Sequence, residues 1–407
     1  MQYVIVGNGI AGVNAAEAIR RMDADGRIVM IGDEALTPYC RPMISMVLEG
    51  SVSHAKLPIR PTSFYDDLDI VPMLGARVTG LDVDAGRVEV NGRSVPYDKL
   101  LIASGADPRP IQAEGLALGN ISYMRTAAHV KRMLSALDGA RRALVLGGGL
   151  VGFKAAYGLM RRGLAVTMLI RSGYPLAMQV DAFAGGLILD ELTAHGLDVR
   201  VDMAAEVFEG NQTVKRAWLS DGSRLDCDLV VIGKGVLPAL DFVPRDRVAV
   251  DLGLVVDPFL QTSAPNVFAA GDTAESVDAA RQTRWVNAIW PEAAAQGRVA
   301  GINMAGRPVP YERSLSRNVI RIFGLDVMTA GVVDPRAVDG AEVLTRFDPA
   351  ARHYRQLVFQ EDLLVGMTLV NAVEQGGVLT ALIQNRLPVN GRRERLLEPG
   401  FNYRAVA

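Results

Sequence analysis

A chain of 407 residues has length for two or three domains with buried cores, and its formal net charge of −2 offers no basic excess for nucleic acid or a polybasic membrane contact. No apolar run approaches the roughly 20 residues needed to cross a bilayer, and the N-terminus runs straight into a strand-like segment, leaving no room for a signal peptide. Two cysteines, Cys40 and Cys227, cannot build a secreted-type disulfide framework, so the expected compartment is the cytoplasm.

Tyr3-Val-Ile-Val6 is a short apolar run that stops at Gly7-Asn-Gly9-Ile-Ala-Gly12 and restarts at helical spacing with Ile10, Val13, Ala16 and Ile19. That pattern predicts strand, tight turn and helix. Gly7 permits the turn, Gly9 lets backbone amides approach a pyrophosphate, and Gly12 lets the helix pack on the strand. The helix dipole and its unpaired N–H groups favour the phosphate charges. A second strand, 27–31, leads to Gly32 and Asp33, where a carboxylate can accept hydrogen bonds from an adenosine ribose. Strand, glycine turn, helix and acid together read as a dinucleotide cradle.

Pro38-Tyr-Cys-Arg-Pro42 follows, then a short helix over 43–48 closing at Gly50. Arg41 beside its proline either reaches a pyrophosphate or flavin edge or is a solvated surface arginine. Leu74-Gly-Ala-Arg-Val78 and paired short strands around Val83 and 87–90 precede a buried strand that stops at Ala103-Ser-Gly105. Pro108 and Pro110 mark a linker. Arg142-Ala-Leu-Val-Leu146 opens a second copy of the first pattern, with Gly147-Gly-Gly149-Leu-Val-Gly152, a helix to about Arg162 and a strand over 165–170. Two copies imply two dinucleotides, or a duplicated ancestor with one live site.

Alternating strands are expected from there to an exit strand at 228–232, which ends at Gly233-Lys234-Gly235. Lys234 either lines a nicotinamide pocket or occupies a surface turn. A third signal runs from Asp257 to Asp272, where a strand ends at Gly271 and Asp272 projects as a ligand or as a plain N-cap. An Ala-rich helix is predicted over 287–306. Short strands at 318–323, 327–333, 355–359 and 363–370 then precede a helix over 373–384, and the polar residues from Asn390 read as a loose tail. This last unit carries no chemical motif, which leaves packing or dimerisation as its role.

Gly7 to Gly12, Ala103-Ser-Gly105, Gly147 to Gly152 and Thr262 to Asp272, in this order, closely resemble the two-dinucleotide flavoprotein reductases of the pyridine nucleotide–disulfide oxidoreductase superfamily. Pro38 to Pro42 and Trp290-Pro-Glu-Ala-Ala-Ala-Gln-Gly297 are similar to the branch containing NAD(P)H:rubredoxin and ferredoxin reductases and the flavoprotein part of assimilatory nitrite reductases. The resemblance implies an α/β fold with two Rossmann-like dinucleotide-binding domains and a small C-terminal α+β domain. The FAD domain would be residues 1–112 and 245–312, the NAD(P) domain 113–244 inserted within it, and the C-terminal domain 313–407 a dimer interface. It also implies FAD with NADH or NADPH as cofactors, and electron transfer to a rubredoxin- or ferredoxin-like protein or a partner subunit. By the same likeness Asp33 takes the FAD ribose, Val78 lies beside the adenine, and Arg41 and Pro42 sit near the flavin. Ala103, Gly105 and Trp290 belong to the FAD bed and Asp272 meets the ribityl chain. Gly147, Gly149, Gly152, Arg171 and Gly233 hold the nicotinamide nucleotide. No metal site is expected.

Hydride transfer between stacked rings needs positioning more than a proton-transfer group, so no catalytic triad is expected. Three departures from the family pattern matter. The superfamily's redox disulfide needs two cysteines a few positions apart on one helix, which Cys40 and Cys227 cannot supply. A rival reading makes Cys40, beside Arg41, an activated thiolate of the kind used by single-cysteine NADH oxidases and coenzyme A disulfide reductases. Lys154 stands two positions after Gly152, where relatives usually carry glutamate, and Met46 stands where many carry lysine. Lys154 is therefore the expected catalytic residue, a positive charge near the isoalloxazine that favours reduced flavin, or else a lysine with its head in solvent. Finally, the usual acid position after the second motif is Ile170, followed by Arg171-Ser172, which leans toward NADPH. A non-catalytic flavoprotein subunit remains a further alternative, and the arginines over 281–284 and 313–321 either dock an acidic partner or face solvent.

Overall fold

The computed structural model describes residues 1–402. Its principal elements run β1 (Gln2–Val6), α1 (Ile10–Met22), β2 (Arg27–Gly32), α2 (Ile44–Glu49), β3 (Ile70–Leu74), β4 (Lys99–Ile102), β5 (Ile121–Tyr123) and α3 (Ala127–Ser135). They continue as β6 (Arg142–Leu146), α4 (Leu150–Arg161), β7 (Ala165–Leu169), α5 (Ala182–Ala194), β8 (Asp198–Arg200), β9 (Leu229–Ile232), β10 (Val267–Ala269) and α6 (Trp290–Met304). Strands β11 (Arg317–Ile322), β12 (Leu325–Gly331), β13 (Ala341–Asp348), β14 (His353–Gln360) and β15 (Leu363–Val370) precede α7 (Gly376–Asn385).

This mixed α/β chain gathers into two compact units. One holds Met1–Cys40, Leu57–Asp107 and Leu237–Ser316, the other Arg41–Lys56, Pro108–Val236 and the chain from Arg317 onward. The break between Asp107 and Pro108 falls at the start of the Pro108 to Pro110 signal, and the two after it fall before Leu237 and Arg317, where 245 and 313 were expected. Residues 41–56 and the C-terminal sheet share a unit with 108–236.

In the first unit a parallel sheet has the order β10–β4–β1–β2–β3. Strands covered on both faces read as continuous apolar runs, and Val4, Ile5, Val29, Met30, Leu100 and Leu101 are all buried. Helices α1 and α6 meet through small residues. A Cβ on Gly297 would stand 2.1 Å from the Ala11 carbonyl oxygen, and one on Gly301 2.5 Å from that of Ala15. The Ala-rich composition of both helices thus records how closely their backbones approach. The short strands expected near Val83 and 87–90 form a meander, Val78–Asp82, Arg87–Val90 and Arg93–Pro96.

The second unit repeats the parallel architecture in the order β8–β7–β6–β9–β5. An antiparallel sheet β11–β12–β15–β14–β13 belongs to the same unit. Buried Glu191 of α5 ties to it, accepting from Arg352 at 2.7 Å and from the Gly324 amide at 2.8 Å, and the His195 ring stacks on Phe323 with centroids 4.0 Å apart. Burial opposes ionisation of Glu191, but these donors hold its carboxyl below the usual range.

Several expectations need correction here. Residues 170–228 are not strands alone, because α5 lies among them. Its sequence Ala182-Phe-Ala-Gly-Gly-Leu-Ile-Leu lacks a polar stripe, and Gly185 packs where a Cβ would lie 2.2 Å from the Tyr174 ring. Strand β13 was not expected, since it is an exposed edge strand whose apolar residues are interspersed with Glu342, Arg346 and Asp348. The segment after Asn390 is no loose tail through residue 402. Leu396 is buried, and Arg355 donates to the carbonyls of Leu396 and Glu398 at 3.2 Å each. The rest of that expectation lies outside the described residues. Cys227 sits between the strand Arg224–Asp226 and β9, with burial pushing its thiol up to about 12. Asp272 caps no long helix, because it lies inside the single 3₁₀ turn Gly271–Thr273 and α6 begins only at Trp290.

Candidate dinucleotide-binding cradles

In the first unit β1 ends at Gly7, whose φ of +128° and contact with β4 both demand glycine, since a Cβ there would lie 2.0 Å from the Ala103 carbonyl oxygen. A Cβ on Gly12 would stand 2.0 Å from the carbonyl oxygen of Gly7. Gly9 has open space beside it and forms the N-cap of α1, with no side chain bonding the helix amides. Those N–H groups are left for a ligand, and a phosphate suits them. Next to the turn lies a cleft of about 240 Å³ lined by Gly7, Asp33, Val78, Ser104, Asp107 and Phe242 among others. It brings together Gly7, Asp33 and Val78, as expected for an adenosine site, with the Asp33 carboxylate exposed at its edge and Val78 buried in its wall.

The remaining expected residues of this cradle occupy other parts of the unit. Ala103 backs Gly7, and the Gly105 carbonyl accepts from Ala239 at 3.0 Å. Asp272 is fixed by its turn. The Gly271 amide donates to Gln296 Oε1 at 2.8 Å, and Thr273 Oγ1 donates to the Ile102 carbonyl at 2.9 Å. Trp290, half-buried, opens α6 with Pro291 behind it. Gln296, which holds the turn bearing Asp272, is a residue that sequence reasoning missed, although it sits inside the quoted Trp290 to Gly297 segment. A buried glutamine in an Ala-rich helix was the available signal. Asn8 was also missed. Its Oδ1 accepts from Tyr65 at 3.0 Å and its amide donates to the Leu36 carbonyl at 3.0 Å, which braces the glycine turn.

The second unit builds the same device. Gly147 has φ +116°, and a Cβ there would lie 2.3 Å from the Gly233 carbonyl oxygen and 3.3 Å from the Lys234 amide nitrogen. A Cβ on Gly152 would stand 1.8 Å from the Gly147 carbonyl oxygen. Gly149, with open space beside it, is the N-cap of α4, again with no side-chain cap. Gly147, Gly149, Gly152 and Gly233 are thus brought together. Ile170 is buried at the usual acid position, its Cγ2 2.4 Å from where a Gly148 Cβ would be, and Arg171 after it is exposed. The Leu176 amide donates to the Gly148 carbonyl at 2.8 Å, folding the following loop back toward the turn.

Lys154 is half-buried on α4, the same helix that the second cradle opens. Arg41 and Pro42 begin the 3₁₀ turn Arg41–Met43, and Arg41 Nη1 donates to the Arg125 carbonyl at 3.3 Å. Helix α2 closes at Gly50 as expected, in the left-handed conformation. Arg162 at the end of α4 clamps it by donating to the carbonyls of Leu48 at 2.7 Å and Val47 at 3.1 Å. Among the described residues no group of three or more His, Cys, Asp or Glu is placed to hold a metal ion, and no helix is long and apolar enough to cross a membrane.

Both cradles fit a dinucleotide, because each pairs open, uncapped helix amides with a turn that excludes any Cβ. Residues 1–297 match the family model "Pyridine nucleotide-disulphide oxidoreductase". The chain is 31% identical to the NADH-dependent phenylglyoxylate dehydrogenase subunit epsilon of Aromatoleum evansii, over 97% of this chain and 94% of that one. It is 28% identical to the assimilatory nitrate reductase electron transfer subunit of Bacillus subtilis (strain 168), over 98% of this chain but only 51% of that protein, so it spans about half of that relative's length. Among solved structures, the covalent putidaredoxin reductase–putidaredoxin complex matches with a TM-score of 0.86 and 26% identity, over 95% of this chain and 94% of that one. The chain belongs to the pyridine nucleotide-disulphide oxidoreductase family, and it is an oxidoreductase of the FAD- and NAD(P)H-dependent kind.

Proposed function

We infer that the protein is a reductase that carries electrons from NAD(P)H by way of FAD to a redox protein or partner subunit. One observation carries this reading: the uncapped glycine cradle is built twice in one chain, each time with the first glycine pressed against a carbonyl of the adjacent strand. FAD, when bound, would supply the redox chemistry between a nicotinamide donor and the electron acceptor. The chain's own residues bind and orient. Asp33 and Val78 take the adenosine of FAD, the α1 amides take its pyrophosphate, and the turn bearing Asp272 meets the ribityl chain. Ala103, Gly105 and Trp290 complete that bed, with Arg41 and Pro42 serving the flavin from a separate turn. Gly147, Gly149, Gly152 and Gly233 hold the nicotinamide nucleotide, and Lys154 supplies a positive charge that raises the flavin potential.

Residues 1–112 and 245–312 are proposed as the FAD domain, 113–244 as the NAD(P) domain and 313–407 as the interface of a homodimer working in the cytoplasm. The nucleotide preferred is NADPH. Buried Ile170 leaves no carboxylate for a ribose 2′-hydroxyl, and exposed Arg171 suits a 2′-phosphate. The names of the relatives, subunits of larger redox enzymes and a reductase joined to putidaredoxin, support a protein acceptor.

The test is anaerobic reduction of the purified, flavin-loaded protein by NADPH and by NADH, followed by addition of a rubredoxin or a [2Fe–2S] ferredoxin. Bleaching of the flavin by NADPH, and its recovery on adding an acceptor protein, is expected. A protein that stays colourless when supplied with flavin, or whose flavin neither nucleotide reduces, overturns the reading. Cys40→Ser is expected to leave turnover intact, and a loss would move the assignment to a single-cysteine oxidase or disulfide reductase.

A further inference from the structure

At the end of the second parallel sheet β6 lies between β7 and β9, with Leu146 opposite both Leu169 and Ile232. Two residues beyond those partners stand Gly148, Arg171 and Lys234. Two interstrand spacings put Arg171 and Lys234 about 10 Å apart at their backbones, one on each side of the glycine turn. Lys234 is held close to that turn. Its amide nitrogen would be 3.3 Å from a Gly147 Cβ, and a Cβ on Gly233 before it would meet the Gly152 amide nitrogen at 2.8 Å.

The charges are disposed unusually for a folded protein left to itself. Lys234 is half-buried, and among the described residues neither it nor Arg171 makes a hydrogen bond or ion pair with a carboxylate. Burial, and then the field of Arg171, both lower the proton affinity of the Lys234 amine. Two cations on either side of the glycine turn, neither paired with a carboxylate among the described residues, favour an anion from outside.

We propose that Lys234 is a second anchoring cation of the nicotinamide nucleotide, bonding its pyrophosphate from the β9 side while Arg171 reads the adenosine end from the β7 side. The proposal rests on the assignment of this cradle to NAD(P)H and adds a division of labour to it. Pyrophosphate is common to NADPH and NADH, so Lys234 contributes affinity without preference, whereas Arg171 contributes preference.

Isothermal titration of the oxidised, flavin-loaded full chain with NADP⁺ and NAD⁺ tests this, since neither reduces the flavin. Lys234→Met is expected to weaken both nucleotides by about tenfold, the loss of one charge-assisted hydrogen bond, and to leave their affinity ratio unchanged. Lys234→Arg should keep most of the affinity, and Arg171→Ala should weaken NADP⁺ alone. Thermal melts of each variant establish that it is folded, and Lys234→Arg carries the test if Lys234→Met is not. Wild-type affinity in Lys234→Met for both nucleotides, or a loss confined to NADP⁺, overturns the proposal while the cradle assignment stands. A wild-type protein that binds neither nucleotide removes the assignment itself, and the proposal with it.

Discussion

The two cradles share a backbone and differ at the neighbouring strand. At the end of β2 the chain places Gly32 and an exposed Asp33 beside a cleft, and at the end of β7 it places a buried Ile170 followed by an exposed Arg171. Gly7 and Gly147 adopt the same left-handed backbone and abut the same kind of neighbouring carbonyl, while Gly12 and Gly152 give their helices the same close approach. The glycine frame accepts any dinucleotide pyrophosphate. Under the proposed assignment the side chain just past the next strand chooses the adenosine, and the two copies carry opposite charges there.

Breaking the frames separately gives the largest effects. Gly12→Val forces branched carbons into a space bounded 2.0 Å away by the Gly7 carbonyl, and Gly152→Val does so at 1.8 Å from that of Gly147. Gly12→Val is expected to purify with less than about a tenth of the wild-type flavin content, as read from its visible absorbance. Gly152→Val should keep its flavin yet bind NADP⁺ roughly a hundredfold more weakly by titration. Loss of flavin from the second variant rather than the first would reverse the assignment of the two beds.

Exchanging the side chain that distinguishes the cradles comes next. Arg171→Asp puts the acid of the first cradle onto the second. Its kcat/KM for NADPH is expected to fall about a hundredfold, through loss of a charge-assisted phosphate contact and gain of repulsion, while that for NADH rises. Steady-state rates with both nucleotides measure this, and an unchanged ratio removes Arg171 from the site.

Both frames were legible in the sequence, because backbone approach without a Cβ leaves glycine at fixed spacing. The central strands of both parallel sheets were legible for a related reason, whereas the edge strands Ile70–Leu74 and Ile121–Tyr123 were not. Burial on both faces writes an unbroken apolar run, as at Leu144 to Leu146 and Leu229 to Ile232. What escaped was whatever depends on partners distant in sequence. Helix α5 buries Glu191 beneath Arg352, a pairing across more than a hundred residues that no local pattern announces. Gln296, a polar residue buried to hold the Gly271 amide, looks from the sequence like any helix surface position. The polar stretch after Asn390 misled because Arg355, from another strand, satisfies its carbonyls. Asp33 and Ile170 could be placed by counting along a motif, whereas the role proposed for Lys234 needed the sheet order, which sets it next to Gly147 and across the glycine turn from Arg171.

A smaller effect is expected from Lys154, which sits on the helix opened by the second cradle and has no counterpart on α1, where Asn14 stands two positions after Gly12. Lys154→Met should lower the flavin midpoint potential by about 30 mV, the equivalent of about 1.4 kcal/mol for a two-electron couple. Redox titration against a dye of known potential reads it. An unchanged potential makes Lys154 a helix lysine with a structural role alone.

The helix starts extend the comparison to a third case. Helices α1 and α4 begin at glycines without side-chain caps, whereas α3 begins with a closed capping box: Thr126 Oγ1 accepts from the His129 amide at 3.2 Å, and His129 Nδ1 accepts from the Thr126 amide at 3.3 Å. The box satisfies two of the α3 amides from within the chain, whereas the proposed dinucleotide helices leave theirs to a ligand. The box needs His129 neutral, and burial, aided by the charges of Arg132 and Arg41, lowers its pKa to about 4. In the unfolded chain the same ring titrates near 6.5. Above that pH both states are neutral and the contribution is complete. As pH falls from about 6.5 to about 4 only the unfolded state takes up the proton, and stability is lost; below about 4 the loss levels off. For a half-buried ring the effect is about 1–2 kcal/mol after solvent screening is allowed for. His129→Gln retains the reach of a capping-box residue without titrating. Urea denaturation at pH 7.5, 6 and 5 should show a gap between wild type and variant that moves in the variant's favour as the pH drops, and a gap independent of pH would mean that the ring is protonated in the folded protein as readily as in the unfolded chain.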